Sequence, residues 1–506
     1  MKDKLYKKSF VLMIVTILCQ GINLVRDILL ARCFGTTTFN DIYLVSQTIV
    51  SVIITMINSP MATAFVPVTT KYYVSKNIDE RNNFVSKIYS DVFVVAIVLT
   101  IIEIIAIDVI VTVAAPGFSG ESKKMLKDLV LLQTPITLIN ILKGVNRGNF
   151  QILQKFNISE ITCVLPYACM CIYLLLPVPK SIYIVAIILS VGTGISIVPE
   201  FVAMHKNGFR FSFSVGVNKD IKAMIILMIA GAITAGIREI NVLCDKAVGS
   251  LLPVGSITML TYASKLTVVV VGLVTASISL VGFTNTAKLK NEGNCKEVLE
   301  GIADSCNFIN FLIIPLSVYI FVFSYDIIKF LYFSQSFDLH SVQVTANIMK
   351  LYALGLVGYG FQDVFTRSLH AYKIVRCTIK ESAIVVICNI ILNILLYRCI
   401  GIYGVAIATS ISIIVVIPVL ANDVRNNIGD FDRKIIYREM IKLWIVSILV
   451  GLVVKTLQII FCNDSVIFWF LETFIFWGVY FGFCYLLKST ELNELVILVK
   501  KSFGGN

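Results

Sequence analysis

The stretch Gln20–Gly35, QGINLVRDILLARCFG, decides how this chain is read. It lies inside the first long apolar segment, which begins near Ser9, yet it carries Arg26 and Asp27 side by side and then Arg32. An ionised side chain at the centre of a bilayer costs roughly 2.5–3.5 kcal/mol on insertion scales, so it faces a partner or a wet cavity. The segment therefore reads as a membrane-spanning helix that lines a polar cavity between two helical bundles.

The surrounding sequence supports a membrane setting. Of 506 residues, 57% are hydrophobic and 15% charged, and the mean hydropathy is +0.87. Apolar runs of about 20 residues recur from end to end, the length that crosses a bilayer as a helix. The expected fold is an all-α polytopic membrane protein with about 14 transmembrane helices: two pseudo-symmetric six-helix lobes and two further C-terminal helices. The expected divisions are 1–205 (N-terminal lobe), 206–220 (an interfacial linker with Phe209, Phe211 and Phe213), 221–422 (C-terminal lobe) and 423–506 (two added spans). The second span, 41–70, and the tenth, 340–371, are longer than a bilayer requires and must tilt or bend. Pro60 and Pro67 are expected to bend or end the second, because proline removes a helix hydrogen bond. The basic opening MKDKLYKK precedes an apolar run too long for a signal-peptide core and without a small-x-small cleavage site, so it reads as a retained first span.

The formal net charge of +12 does not point to nucleic acid, because the basic residues fall in alternate loops. Of the loop Lys and Arg residues, 28 lie on one side and 6 on the other. Basic loops stay cytoplasmic, so both termini are expected there. The 13 cysteines are scattered without a CxxC pair, and His205, His340 and His370 are isolated, so neither set outlines a metal site. No GK[ST] phosphate loop, GxSxG or HExxH occurs, which argues against an enzyme and for secondary transport.

A second stretch echoes the first. Gly236–Gly249, GIREINVLCDKAVG, repeats about 214 residues later the glycine-opened, charge-bearing, glycine-closed pattern of Gly21–Gly35. Six spans per repeat is an even number, so the repeats are parallel, an arrangement in which transporters rock two lobes about a central site. Arg26, Arg238 and Lys265 lie in the first, seventh and eighth spans. An excess of cations there suits a phosphate or pyrophosphate, since guanidinium binds such oxygens bidentately. Lys143 is a further cation within a span, Glu103 and Asp108 are expected near the outer interface, and Lys455 is expected to snorkel to it.

Several runs together resemble the MurJ (MviN) family of lipid II flippases, in the multidrug/oligosaccharidyl-lipid/polysaccharide exporter superfamily. They are LVRDILLARCFG (Leu24–Gly35), Asp41, TAFVPV (Thr63–Val68), APGF (Ala115–Phe118), LTYASKL (Leu260–Leu266) and IGIYGVAIATS (Ile400–Ser410). The resemblance implies a two-lobed flippase in the bacterial cytoplasmic membrane. Its cargo would be a polyprenyl-pyrophosphate-linked saccharide, with lipid II for peptidoglycan synthesis the expected one, and cell-wall synthesis proteins are the expected partners besides membrane lipids. The last two spans would hold the lipid tail. It also implies substrate-binding roles for Arg26, Asp27, Arg32, Asp41, Arg238 and Lys265, and a possible Na⁺ site from Asp245, Asn389, Asn393, the Val405 carbonyl and Thr409. No cofactor is implied beyond that ion. The sequence departs from the family where Gln20 and Ile53-Ile54 replace arginines, where Lys265 replaces an arginine, and where Thr267 and Val268 stand near an absent acid. Those departures leave a Wzx-like exopolysaccharide flippase as the alternative. A cation-coupled drug antiporter and a transport-inactive envelope scaffold stand further off.

Overall fold

The computed structural model describes residues 2–75, 77–269, 271–272, 274, 295–372, 374–461, 465–493 and 495. Side chains are described from residue 14 onward, except at 62, 230, 295 and 375. Every regular element in the described residues is helical. In order they are α1 (Lys2–Phe34), α2 (Thr38–Val74), α3 (Ile78–Ile105), α4 (Ile107–Ala114), α5 (Gly120–Ile152), α6 (Phe156–Leu175), α7 (Ile182–Lys206) and α8 (Lys219–Ser250). A helix α9 is described over 256–269. It is followed by α10 (Cys295–Tyr332), α11 (Leu339–Ala353), α12 (Leu356–Ala371), α13 (Val375–Ile400), α14 (Ile402–Asn427), α15 (Arg433–Phe461) and α16 (Val466–Leu486).

Twelve of these helices are long and apolar enough to cross a membrane. The other two expected spans are accounted for differently. The eighth begins as α9 and passes out of the described residues. The tenth, 340–371, is divided into α11 and α12 around Leu354 and Gly355. The expected third span is also divided, with Ala106 between α3 and α4.

The local reasons are ordinary ones. Helix starts need acceptors for their free N–H groups. The Asn77, Asn218 and Ser465 side chains accept from the N–H groups of Glu80, Ile221 and Phe468. Gly401, at φ +60°, turns α13 into α14 in a single residue, a conformation that costs glycine nothing. Neither proline ends the second span: α2 runs on through both Pro60 and Pro67. Tertiary contacts hold it. The Asn58 amide donates to the Asn140 carbonyl on α5, and Gly231 and Gly236 let α8 approach Pro60 and Met56 closely. Small residues at such crossings permit the close packing that membrane helices rely on.

The chain forms two compact units: residues 1–258 with 334–338, and 259–333 with 339–506. The border of these units falls after Thr258, and α8 packs on α2 in the first unit. In the first unit, α2 is central and packs on α5 and α8. One apolar core there includes Leu30, Tyr43, Leu129 and Val185, and another includes Phe65, Phe84, Ile88 and Phe150. In the second unit, α15 and α16 pack on α10 through Phe311, Phe323, Val450, Phe476 and Tyr480.

Candidate functional site

Helix α1 is unbroken from Gln20 to Phe34, which puts Arg26 and Asp27 one residue apart on a single turn. Both side chains are nearly buried. The Arg26 Nε and Nη2 donate to Asp27 Oδ1 at 3.1 and 2.7 Å. The guanidinium also lies over the Tyr167 ring, 4.4 Å from its centroid, a geometry in which the ring face attracts the cation. Its Nη1 makes no hydrogen bond among the described residues. Arg26 is therefore a held cation with donor capacity left over, because guanidinium carries five N–H groups.

A second buried ion pair lies in the same unit. Lys143 Nζ is 3.5 Å from Glu200 Oε1, and the two side chains are 6% and 0% exposed. Lys143 also donates to Ser196 Oγ at 2.8 Å, and Asn146 Nδ2 donates to Glu200 Oε2 at 2.8 Å. The Thr162 hydroxyl donates to Glu200 Oε1 as well. This network ties α5, α6 and α7 together. Lys143, read from sequence as a spare cavity cation, is thus held by a carboxylate. Glu103 is fully buried and accepts from the Thr137 hydroxyl at 2.9 Å. Asp108 is exposed and pairs with Lys127 at 2.9 Å.

Asp41 has a different task from the substrate contact implied for it. Its Oδ2 accepts from the Gly255 N–H at 2.7 Å, and its Oδ1 accepts from the Thr258 N–H and hydroxyl at 2.8 and 2.6 Å. These donors belong to the first turn of α9, so a buried carboxylate on α2 caps a helix that starts 215 residues later. The helix dipole favours negative charge there, and Lys246 acts on the same carboxylate. Neighbouring contacts extend the clasp. The Gly117 N–H donates to Ser250 Oγ at 3.0 Å, and the Ser334 and Ser336 hydroxyls donate to the Arg32 and Cys33 carbonyls at 3.1 and 3.3 Å. Gly35, at φ +57°, lies so close to the Ser336 backbone that a Cβ would collide with it. That close approach explains the Phe34-Gly35 ending of the motif.

The remaining expected residues are less confined. Arg32 and Arg238 are exposed on α1 and α8, and Glu239, beside Arg238, accepts from Thr55. Lys265 is half-buried on α9, in the second unit. Asn389 Nδ2 donates to Thr409 Oγ1 at 3.2 Å, Asn393 Nδ2 to Asn389 Oδ1 at 2.8 Å, and Thr409 Oγ1 to the Val405 carbonyl at 3.1 Å. Asn389 Oδ1, Thr409 Oγ1 and the Val405 carbonyl each accept in this helix-packing chain between α13 and α14. Asp245, the one carboxylate of that expected Na⁺ set, belongs to the first unit. Among the described residues no group of three or more His, Cys, Asp or Glu could hold a metal, so the described donors do not make a case for sodium.

Sequence reading missed Tyr167, Gly255 and Thr258. The run Pro253–Ser256 does carry a helix-start signal, with glycine and serine before an apolar segment. Nothing in it identifies Asp41 as the acid that caps the helix.

The described residues form a polytopic all-helical fold of the kind seen in the multidrug/oligosaccharidyl-lipid/polysaccharide exporter superfamily. A structure described as an inward-facing MATE family multidrug resistance transporter of that superfamily matches with a TM-score of 0.66 at 13% identity, over 82% of this chain and 98% of that one. More specifically, residues 30–476 match the family model "Lipid II flippase MurJ", and the chain belongs to that family. A probable lipid II flippase MurJ of Thermotoga maritima is 24% identical over 491 residues, 97% of this chain and 98% of that protein. One from Buchnera aphidicola subsp. Acyrthosiphon pisum is 24% identical over 496 residues, 95% and 96% of the two. A structure of lipid II flippase MurJ in an inward closed conformation matches with a TM-score of 0.81 at 25% identity, over 94% of this chain and 98% of that one.

Proposed function

We propose that this protein is a lipid II flippase, moving the lipid-linked saccharide across the cytoplasmic membrane by alternating access for peptidoglycan synthesis. The observation that carries this reading is the family match over residues 30–476, nearly the whole helical body. Translocation needs no nucleophile–base pair and no catalytic metal, since no covalent bond in the cargo changes.

In this reading Arg26 is the principal pyrophosphate contact. Asp27 and Tyr167 hold its guanidinium in place, and the Nη1 donor is available for a phosphate oxygen. Arg32, Arg238 and Lys265 add positive charge, while Asp41 fastens the start of α9 to α2 through three hydrogen bonds to one carboxylate. The lobes that rock keep the sequence division at 206–220, both termini are cytoplasmic, and α15 and α16 receive the polyprenyl tail. Proteins of cell-wall synthesis are the partner class that such a cargo implies.

Depletion of the resident lipid II flippase in a bacterium that also expresses this chain tests the reading. Restored growth is the expected result. Lysis despite membrane insertion would exclude lipid II as the cargo.

A further inference from the structure

A groove on the second unit lies on the side of α15 that faces α10 and α11, with no α16 residue in its lining, and so is distinct from the α15–α16 surface assigned to the polyprenyl tail. It has a volume of about 370 Å³ and is apolar apart from Ser317, Lys350 and Lys455. Gly451 forms part of its floor, where α15 comes close to Val318 and Val322 of α10. Past Leu354 and Trp444 it continues into a second groove of about 310 Å³ that reaches Arg433.

The cations are spaced like the two surfaces of a bilayer. Arg433 and Lys455 are 22 residues apart on the single helix α15, about 33 Å at 1.5 Å per residue, against a hydrocarbon thickness of about 30 Å. Trp444 is midway. The groove from Lys455 to Trp444 is therefore about 16 Å long, the depth of one leaflet.

Among the described residues neither lysine at the Lys455 end forms an ion pair, although Lys455 acts at longer range on Glu472. Lys350 Nζ is hydrogen-bonded to Asn347 Oδ1 at 3.3 Å and sits over the Phe321 ring, 5.9 Å from its centroid. Lys455 Nζ donates to Gln458 Oε1 at 2.9 Å. Both partners are neutral amides, and the two ammonium groups are near enough to act on each other. The Glu472 carboxylate is engaged on the far side of Gln458, accepting from its Nε2 at 3.0 Å. A lone snorkelling lysine needs no ligand. Two like charges from different helices, converging over an apolar groove one leaflet deep, call for an anion with an acyl chain. At the opposite end, Arg433 has a buried Nε without a hydrogen-bond partner among the described residues.

We infer that this groove binds an anionic phospholipid, its phosphate between Lys350 and Lys455 and one acyl chain lying along α15 toward Trp444. The lipid is an annular ligand of the second unit, separate from the transported cargo, and the inference needs only the membrane fold.

Native mass spectrometry of the full chain tests it, released from nanodiscs of palmitoyl-oleoyl-phosphatidylglycerol and the matching phosphatidylethanolamine in equal amounts. The unaltered protein is expected to retain the glycerol lipid roughly ten- to thirtyfold over the ethanolamine lipid, the size expected for two lysines acting on one anion. Lys350→Gln/Lys455→Gln should bring the ratio near unity. Ile448→Trp, at an exposed position in the groove wall, should lower total retained lipid with both lysines intact. Equal retention of the two lipids by the unaltered protein overturns the inference, and so does undiminished selectivity in the double variant. A monodisperse size-exclusion profile for each variant separates either result from misfolding.

Discussion

The first unit contains two buried ion pairs that look alike in composition and differ in construction. Arg26–Asp27 joins neighbours on one helix, and the guanidinium keeps a donor in reserve. Lys143–Glu200 joins α5 to α7, with Ser196, Asn146 and Thr162 occupying the remaining hydrogen-bonding positions around it. The first pair can take a new anion without dismantling a helix contact. The second cannot, because Ser196 and Asn146 reinforce the same α5–α7 junction and Thr162 adds α6 to it. Buried charge at membrane depth is thus not by itself a sign of a binding site. The difference lies in whether the surroundings have already consumed the donors.

Four experiments can break or sharpen that contrast. Glu200→Ala should have the largest effect on folding, since it strands Lys143 as a buried unpaired cation. A loss of about 3–5 kcal/mol is expected, read as a sharp drop in the thermal unfolding midpoint in detergent. If the protein tolerates it, the locked-pair description fails. Arg26→Lys should instead leave the midpoint nearly unchanged while rescue of a flippase-depleted strain weakens. Replacing the fork by a point charge removes one charge-assisted hydrogen bond of about 1.5–3 kcal/mol, roughly ten- to a hundredfold in transport. A variant that melts early but transports normally would reverse the roles of the two pairs.

Asp41→Ala tests a third kind of buried charge, one that caps a helix. The expected cost is about 0.5–2 kcal/mol, the range for a lost N-cap. Its distinctive sign is faster hydrogen–deuterium exchange at the Gly255 and Thr258 amides, which lose their acceptor. The smallest effect belongs to the exposed pair Lys71–Asp220, 2.6 Å apart. Lys71→Ala should change stability by no more than about 1 kcal/mol, since water screens such pairs. It serves as the baseline for the other three.

Much of the fold was legible because hydropathy is a property of the chain in one dimension. A run of about 20 apolar residues has to become a helix in a bilayer wherever its neighbours lie. The break of the tenth span at Leu354 and Gly355, and the passage of α2 through Pro60 and Pro67, depend instead on what packs alongside. α2 is held by α5 and α8 across its proline region, and that packing offsets the lost hydrogen bonds.

The charged residues divide along the same line. Arg26-Asp27 could be read because both partners are adjacent in the sequence. Lys143 and Glu200, 57 residues apart, could not be matched from spacing, nor could Asp41 and Gly255, separated by 214. The sequence alone determined an all-helical membrane protein with charge in its first span, since solvent transfer depends on composition and local order. Only the tertiary structure decided which of those charges are spent holding helices together and which retain a free donor. A charge's function depends on the atoms that surround it, and those come from distant parts of the chain.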